Sequence, residues 1–158
     1  MTTPADDPET RLHALGLTLP EPAGAVADYQ PFVIAGTMLY TSGQLPWIGG
    51  NLQFKGKIGR DLTAEQGYAA CQLGALNGLA QIKKALGGFE RLVRVIRLEG
   101  VLNVAPGFTA TPGVLNGASH LLNKTLGARD QHTRMIYTNP ELPLDCACLI
   151  VLWAEVRS

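Results

Sequence analysis

Hydrophobic positions along the 158-residue chain follow two rhythms, and the changes of rhythm mark the elements. Two short apolar runs, FVIA and MLYT, meet at Gly36-Thr37 and read as strands joined by a turn. The next stretch, QLPWIGGNLQFKGKIGRDL, is broken by glycine and proline and reads as a long hairpin or loop. Thr63 and Gln66 then form the T-x-x-Q capping box ahead of AEQGYAACQLGALNGLAQIKKAL, so a long helix begins there. Ala69, Leu73, Leu76 and Ala80 recur at helical spacing, which turns an apolar stripe inward and leaves Gln72, Gln81 and Lys83 to water. Gly87-Gly88 ends the helix.

The rhythm then shortens to two in FERLVRVIRLEGVLNV, a long strand. Thr111-Pro112 supplies a cap and a first-turn proline for a second helix, with Val114, Leu115, Ala118, Leu121, Leu122 and Leu126 inward and Gly127 as its stop. TRMIYT and ACLIVLWAEV, on either side of NPELPLD, are the last two strands. The resulting order, β-β-α-β-α-β-β, predicts an α+β sandwich with both helices on one face of a mixed sheet. Met38, Tyr40, Val151 and Trp153 make the other face apolar too, and self-association would cover it. Ahead of this unit the first ten residues read as a loose tail, TRLHALGL as a short amphipathic piece and TLPEPAGA as a link no helix can cross. The expected division is a tail with a short helix over 1–23 and a single domain over 24–158.

Composition narrows the function. At 46% hydrophobic the chain can bury a sizeable core, and 13 basic residues balance 13 acidic ones. Zero net charge and the lack of a basic, aromatic-laced stripe argue against nucleic acid as a partner. No apolar run reaches the roughly 18 residues of a membrane span. Cys71, Cys146 and Cys148 have no metal spacing, and no leader-like segment precedes them, so a reducing cytoplasm is the expected compartment.

Nucleotide-loop, zinc-protease and nucleophile-elbow motifs are all missing. His13, His120 and His132 share no ligand spacing and read as exposed or capping histidines, so neither metal nor cofactor is expected. Cys146 and Cys148 sit two apart and would share a strand face, most simply as buried inert thiols. Arg134 stands out. A guanidinium opening an apolar strand needs either an acidic partner, Asp130 or Glu141 being nearest, or a bound anion, for which its fork suits a carboxylate.

Two blocks carry a family likeness: YQPFVIAGTMLYTSGQLP at 29–46 and RMIYTNPELPLD at 134–145. Tyr29 lies thirteen residues before the serine of SGQ-x-P, and a Leu-Pro pair follows Arg134 by eight and nine. Together, in this element order and over nearly all of 24–156, they resemble the Rid family, the YjgF-like or RidA-like reactive-intermediate deaminases also known as endoribonuclease L-PSP. That resemblance implies a chorismate-mutase-like fold and a homotrimer whose inter-subunit clefts bind small carboxylate-bearing metabolites. It also implies that Arg134 grips the carboxylate, with Tyr29, Ser42, Asn116 and Ile136 lining the cleft.

The family reaction, hydrolysis of a reactive enamine or imine to a 2-keto acid and ammonia, uses a glutamate fifteen residues after the arginine. Leu149 stands there, and Ile136 replaces a cysteine two residues after the arginine. Glu155 shares the strand face of Leu149 but lies about 20 Å away at roughly 3.3 Å per residue. Glu99 from a neighbouring strand, or Tyr29 through water, could move the proton instead. Three readings follow: an imine deaminase of altered specificity, a trimeric carboxylate binder without turnover, and an endoribonuclease. Leu149 makes the expected cleft more apolar, so a bulkier ligand is anticipated. The loop over 47–60 gives no sign of its role.

Overall fold

The computed structural model describes residues 7–25 and 27–158. Its elements are α1 (Pro8–Ala14), β1 (Phe32–Ala35), β2 (Met38–Thr41), β3 (Trp47–Ile48), β4 (Asn51–Leu52), α2 (Ala64–Leu86), β5 (Leu92–Asn103), α3 (Thr111–Leu126), β6 (Asp130–Asn139) and β7 (Cys148–Val156). Five strands form one sheet in the order β1-β2-β7-β5-β6, and β3-β4 form a separate small hairpin within the long loop. Only β5 and β6 run parallel, because α3 carries the chain back between them; the other sheet pairs are antiparallel. The predicted α+β sandwich with a mixed sheet is the observed architecture.

α2 starts at the predicted capping box, with Thr63 accepting from the Gln66 amide and the Gln66 side chain accepting from that of Thr63. It stops at Gly87, whose φ of 74° is a left-handed conformation that glycine adopts without strain. Its buried face is wider than the spacing suggests: Ala70, Cys71, Gly74, Ala75, Leu79 and Ile82 join Leu76 and Ala80, while Ala69 and Leu73 lie at the margin. Gln81, expected in water, is 1% exposed. Its amide donates to Ala23 O at 2.7 Å and, at 3.4 Å, to Gln44 Oε1, so the chain before β1 folds over this helix and takes Gln81 out of solvent. α3 begins at its expected cap, one residue early: Ala110 precedes it without a side-chain bond, and Thr111 and Pro112 are its first residues. Its six predicted apolar residues are all buried.

Residues 1–6 of the expected tail lie outside the described residues, and Pro8–Thr10, expected to be loose, already belong to α1. Asp7 caps this short helix, and Leu12, 1% exposed, inserts into the main core. That core lies between α2, α3 and one sheet face, with Leu39, Val95, Leu98, Leu102, Ile150 and Leu152 pointing into it. Period two sends their strand neighbours the other way. Val33, Tyr40, Trp153, Arg97 and Thr133 cross that second face as one row of paired residues, next to Val151, Glu99 and Met135. Arg97 binds Glu99 at 2.9 Å and covers the Trp153 ring at 5.3 Å, yet Val33, Met135 and Tyr137 remain exposed.

Where α2 and α3 cross, Gly117 lets the backbones touch: a Cβ there would fall 2.0 Å from Tyr68 O. Gly117→Ala is therefore expected to cost roughly 3 kcal/mol by overpacking, about 6–12 °C in melting temperature. Gly113→Ala, facing open space on the same helix, should cost nothing, and thermal denaturation followed by circular dichroism compares the two.

Candidate functional site

β6 is an edge strand, and its alternation puts Asp130, His132, Arg134 and Ile136 on the side of α3. Arg134 is half-buried there. Its Nη1 donates to Asn116 Oδ1 at 2.8 Å and to Ser119 Oγ at 3.2 Å, and Nη2 reaches Pro112 O at 3.4 Å. All three acceptors are neutral and belong to α3. The acidic neighbours named from the sequence are engaged elsewhere: Asp130 with His132 at 2.5 Å, Glu141 with Lys57 at 3.7 Å. Among the described residues no carboxylate pairs with Arg134, and its Nε and the second Nη2 proton have no acceptor. One edge of the guanidinium is thus anchored while the other presents two parallel N–H donors, the geometry a carboxylate accepts bidentately. Ile136 follows on the same strand face, packed on the core, and makes the neighbouring surface apolar.

Tyr29 and Ser42 gather at the other end of the sheet. Ser42 follows β2, donates from Oγ to Gln30 O at 2.6 Å, and with Tyr29, Ala23, Gly24, Gly43 and Trp47 lines a small hollow. Gln44, 5% exposed, donates to Ser42 O at 3.0 Å and accepts from Gln81, so a buried amide ladder ties this hollow to α2. The sequence singles out neither glutamine: Gln81 on a helix reads as solvated, and Gln44 lies in the connection after β2. Leu149 belongs to this half: its side chain lies on Gly43, 3.6 Å from where a Cβ would stand.

The sequence-derived residues therefore fall into two groups, Arg134, Asn116 and Ile136 on one, Tyr29, Ser42 and Leu149 on the other. β2 and β6 are separated by β7 and β5, three strand spacings or about 14 Å. Leu149 also points to the sheet face opposite that of Arg134. Within one chain the two groups cannot close on a small ligand.

Of the two carboxylates considered as replacements for a glutamate at 149, Glu99 is held by Arg97 and Glu155 by Arg94 at 2.7 Å. His132, expected at the surface or on a cap, is instead enclosed, its side chain 8% exposed, while His13 and His120 are exposed. The cysteines do not share a face as expected. Cys146 sits in a small cluster with Leu45 and Leu142, whereas Cys148 enters the main core, because the chain is not yet in regular strand at Cys146. Burial pushes the Cys146 thiol up to about 11, and the hydrogen bond with Cys71, then burial, holds Cys148 well above the usual thiol range. Both stay protonated and unreactive at neutral pH. No described helix is long and apolar enough to cross a membrane.

Residues 9–156 match the family described as "YjgF/chorismate mutase-like, putative endoribonuclease". A Shewanella oneidensis crystal structure described in the same terms, as a putative endoribonuclease, is 48% identical and superposes with a TM-score of 0.93 over 95% of this chain and 99% of that one. Protein TCP17 of Trypanosoma cruzi is 36% identical over 150 residues, 93% of this chain and 92% of its own. TdcF of Escherichia coli, solved with bound serine, shares the fold alone, at 22% identity and a TM-score of 0.63 over 89% of this chain and 96% of that one. The chain belongs to the YjgF/chorismate mutase-like family, the Rid family whose two blocks it carries at 29–46 and 134–145.

Proposed function

We propose that the protein takes 2-imino and 2-keto acids by their carboxylates in clefts between subunits of a homotrimer and hydrolyses the imines to keto acids and ammonia. One observation carries this reading: a half-buried guanidinium braced by three neutral acceptors, with a two-donor edge and, among the described residues, no acidic partner. Leaving a charge so poorly compensated is costly unless an anion completes it. The second requirement is a partner for each half of the site. β6 and the β1–β2 end are opposite edges of one sheet, so Arg134, Asn116 and Ile136 of one subunit would meet Tyr29, Ser42 and Leu149 of the next. Exposed Val33, Met135 and Tyr137 on the open sheet face give subunits an apolar surface to bury.

In the reaction water adds to the C=N carbon and the departing nitrogen gains protons, leaving the keto acid. Arg134 would hold the carboxylate and orient that carbon. Leu149 favours a second reading, carboxylate binding without turnover, because the position facing Gly43 carries no proton donor. Calorimetry with 2-oxobutyrate should show one site per chain, on a species of trimeric mass in light scattering. Imines generated from amino acids by an amino acid oxidase should release keto acid faster with the protein than without it. Binding without acceleration selects the second reading; no binding of any short keto acid rejects both, and RNA cleavage would then be the reading to examine.

A further inference from the structure

Beyond Arg134 itself, β6 and α3 hold an unbroken run of polar contacts that the proposed reaction does not use. His132 Nδ1 lies 2.5 Å from Asp130 Oδ1, His132 Nε2 lies 2.9 Å from Ser119 Oγ, and Ser119 Oγ lies 3.2 Å from Arg134 Nη1. Side-chain exposures of 1% for Asp130 and 8% for His132, with Ser119 at 7% overall, leave little room for water to substitute for any member.

The proton directions in this run are dictated by its ends. A guanidinium can only donate, and an ionised carboxylate can only accept. Ser119 Oγ therefore accepts from Arg134 and His132 Nδ1–H donates to Asp130; between them, Ser119 either donates to Nε2 of a neutral imidazole or accepts, on its second lone pair, from Nε2–H of an imidazolium. Both wirings protonate Nδ1, and only the first also gives the Ser119 hydroxyl proton an acceptor, so it is the one that leaves no proton of the run unpaired. The other oxygen of Asp130, Oδ2, is buried with no partner among the described residues, so the contact with His132 is what holds this carboxylate.

We infer that Asp130, His132 and Ser119 act as one positioning chain that fixes which edge of Arg134 faces the ligand. Nη1 donates to both Ser119 and Asn116, which pins that side of the guanidinium to α3 and keeps it from turning outward. Asp130 supplies the countercharge inside the fold at the far end of two neutral groups. No carboxylate among the described residues reaches the guanidinium itself, so its charge is only distantly offset and its Nε–Nη2 edge stays free for a ligand carboxylate. These three are positioning residues: none needs to touch the ligand. The ligand-binding part rests on the carboxylate reading above.

The test uses the full chain and two variants, Ser119→Ala, which removes the middle link, and Asp130→Asn, which keeps the shape and deletes the charge. Nitrogen-15 NMR of wild type should show His132 in the Nδ1–H tautomer and an ordered Arg134 Nε–H; both variants should lose that order. Each should bind 2-oxobutyrate roughly tenfold more weakly, the cost of a hydrogen bond to a charged group. Binding of the uncharged 2-oxobutanamide should not change. Undiminished 2-oxobutyrate binding in both variants overturns the inference, as does an equal loss for the acid and the amide, which would mean general damage to the cleft. If wild type binds no carboxylate, the functional reading falls by itself. The positioning chain is then judged by NMR alone, and equal Arg134 order in wild type and Ser119→Ala refutes it.

Discussion

Arg134→Ala is expected to weaken 2-keto acid binding roughly a hundredfold or more, since two charge-assisted hydrogen bonds contribute about 1.5–3 kcal/mol each and every ~1.4 kcal/mol is tenfold. The fold should survive, because the lost side chain is only half-buried and its α3 partners can turn to water at the sheet edge. Arg134→Lys separates charge from shape. An ammonium keeps the attraction but lacks the parallel N–H pair, so it should recover only part of the affinity. Calorimetry on both variants, with melting temperatures alongside, reads the effect. Binding by Arg134→Ala at the wild-type level would show that the anion goes elsewhere and would remove the basis for the proposed function.

Installing a carboxylate at the apolar position is the second large effect. Leu149→Glu should raise imine hydrolysis by a factor of about 10²–10⁴, the usual worth of a positioned general acid/base. Position 149 is partly enclosed against Gly43, and a glutamate there would lose hydration, raising its pKa toward the range where it both gives and takes protons. Leu149→Gln offers a similar shape without proton transfer and should gain nothing. The gain should also vanish in Leu149→Glu/Arg134→Ala, although within one chain those side chains point to opposite sheet faces. Equal rates for the glutamate, the glutamine and the parent would show that position 149 is outside the reacting cleft.

Much of the fold was legible because period and punctuation agree locally. The capping box at Thr63, the glycine stops at Gly87 and Gly127 and the alternation through β5 each specify their element without help from distant residues. Arg134 was legible as an anomaly, a permanent charge in an apolar strand. What escaped depends on which segments cross which. Gln81 is buried only because the stretch around Ala23 folds over α2, and no helical spacing announces that. The parting of Cys146 and Cys148 depends on where regular strand begins. The separation of Arg134 from Ser42 depends on sheet order, which a right order of elements does not determine. The Asp130–His132–Ser119 run had one readable signal: Asp130, His132 and Arg134 stand at alternate positions and so share a strand face. Its missing member comes from α3, whose placement over that face only the folded chain supplies.

With the two halves of the proposed cleft on opposite borders of a single sheet, a solitary copy would have no working centre, and potency would climb more steeply than abundance as copies find one another. A lesion confined to one border would spoil only the junctions to which that border contributes. Chains harmed at Arg134 and chains harmed at Ser42, each inert alone, would regenerate some intact junctions when co-assembled, as complementing alleles do.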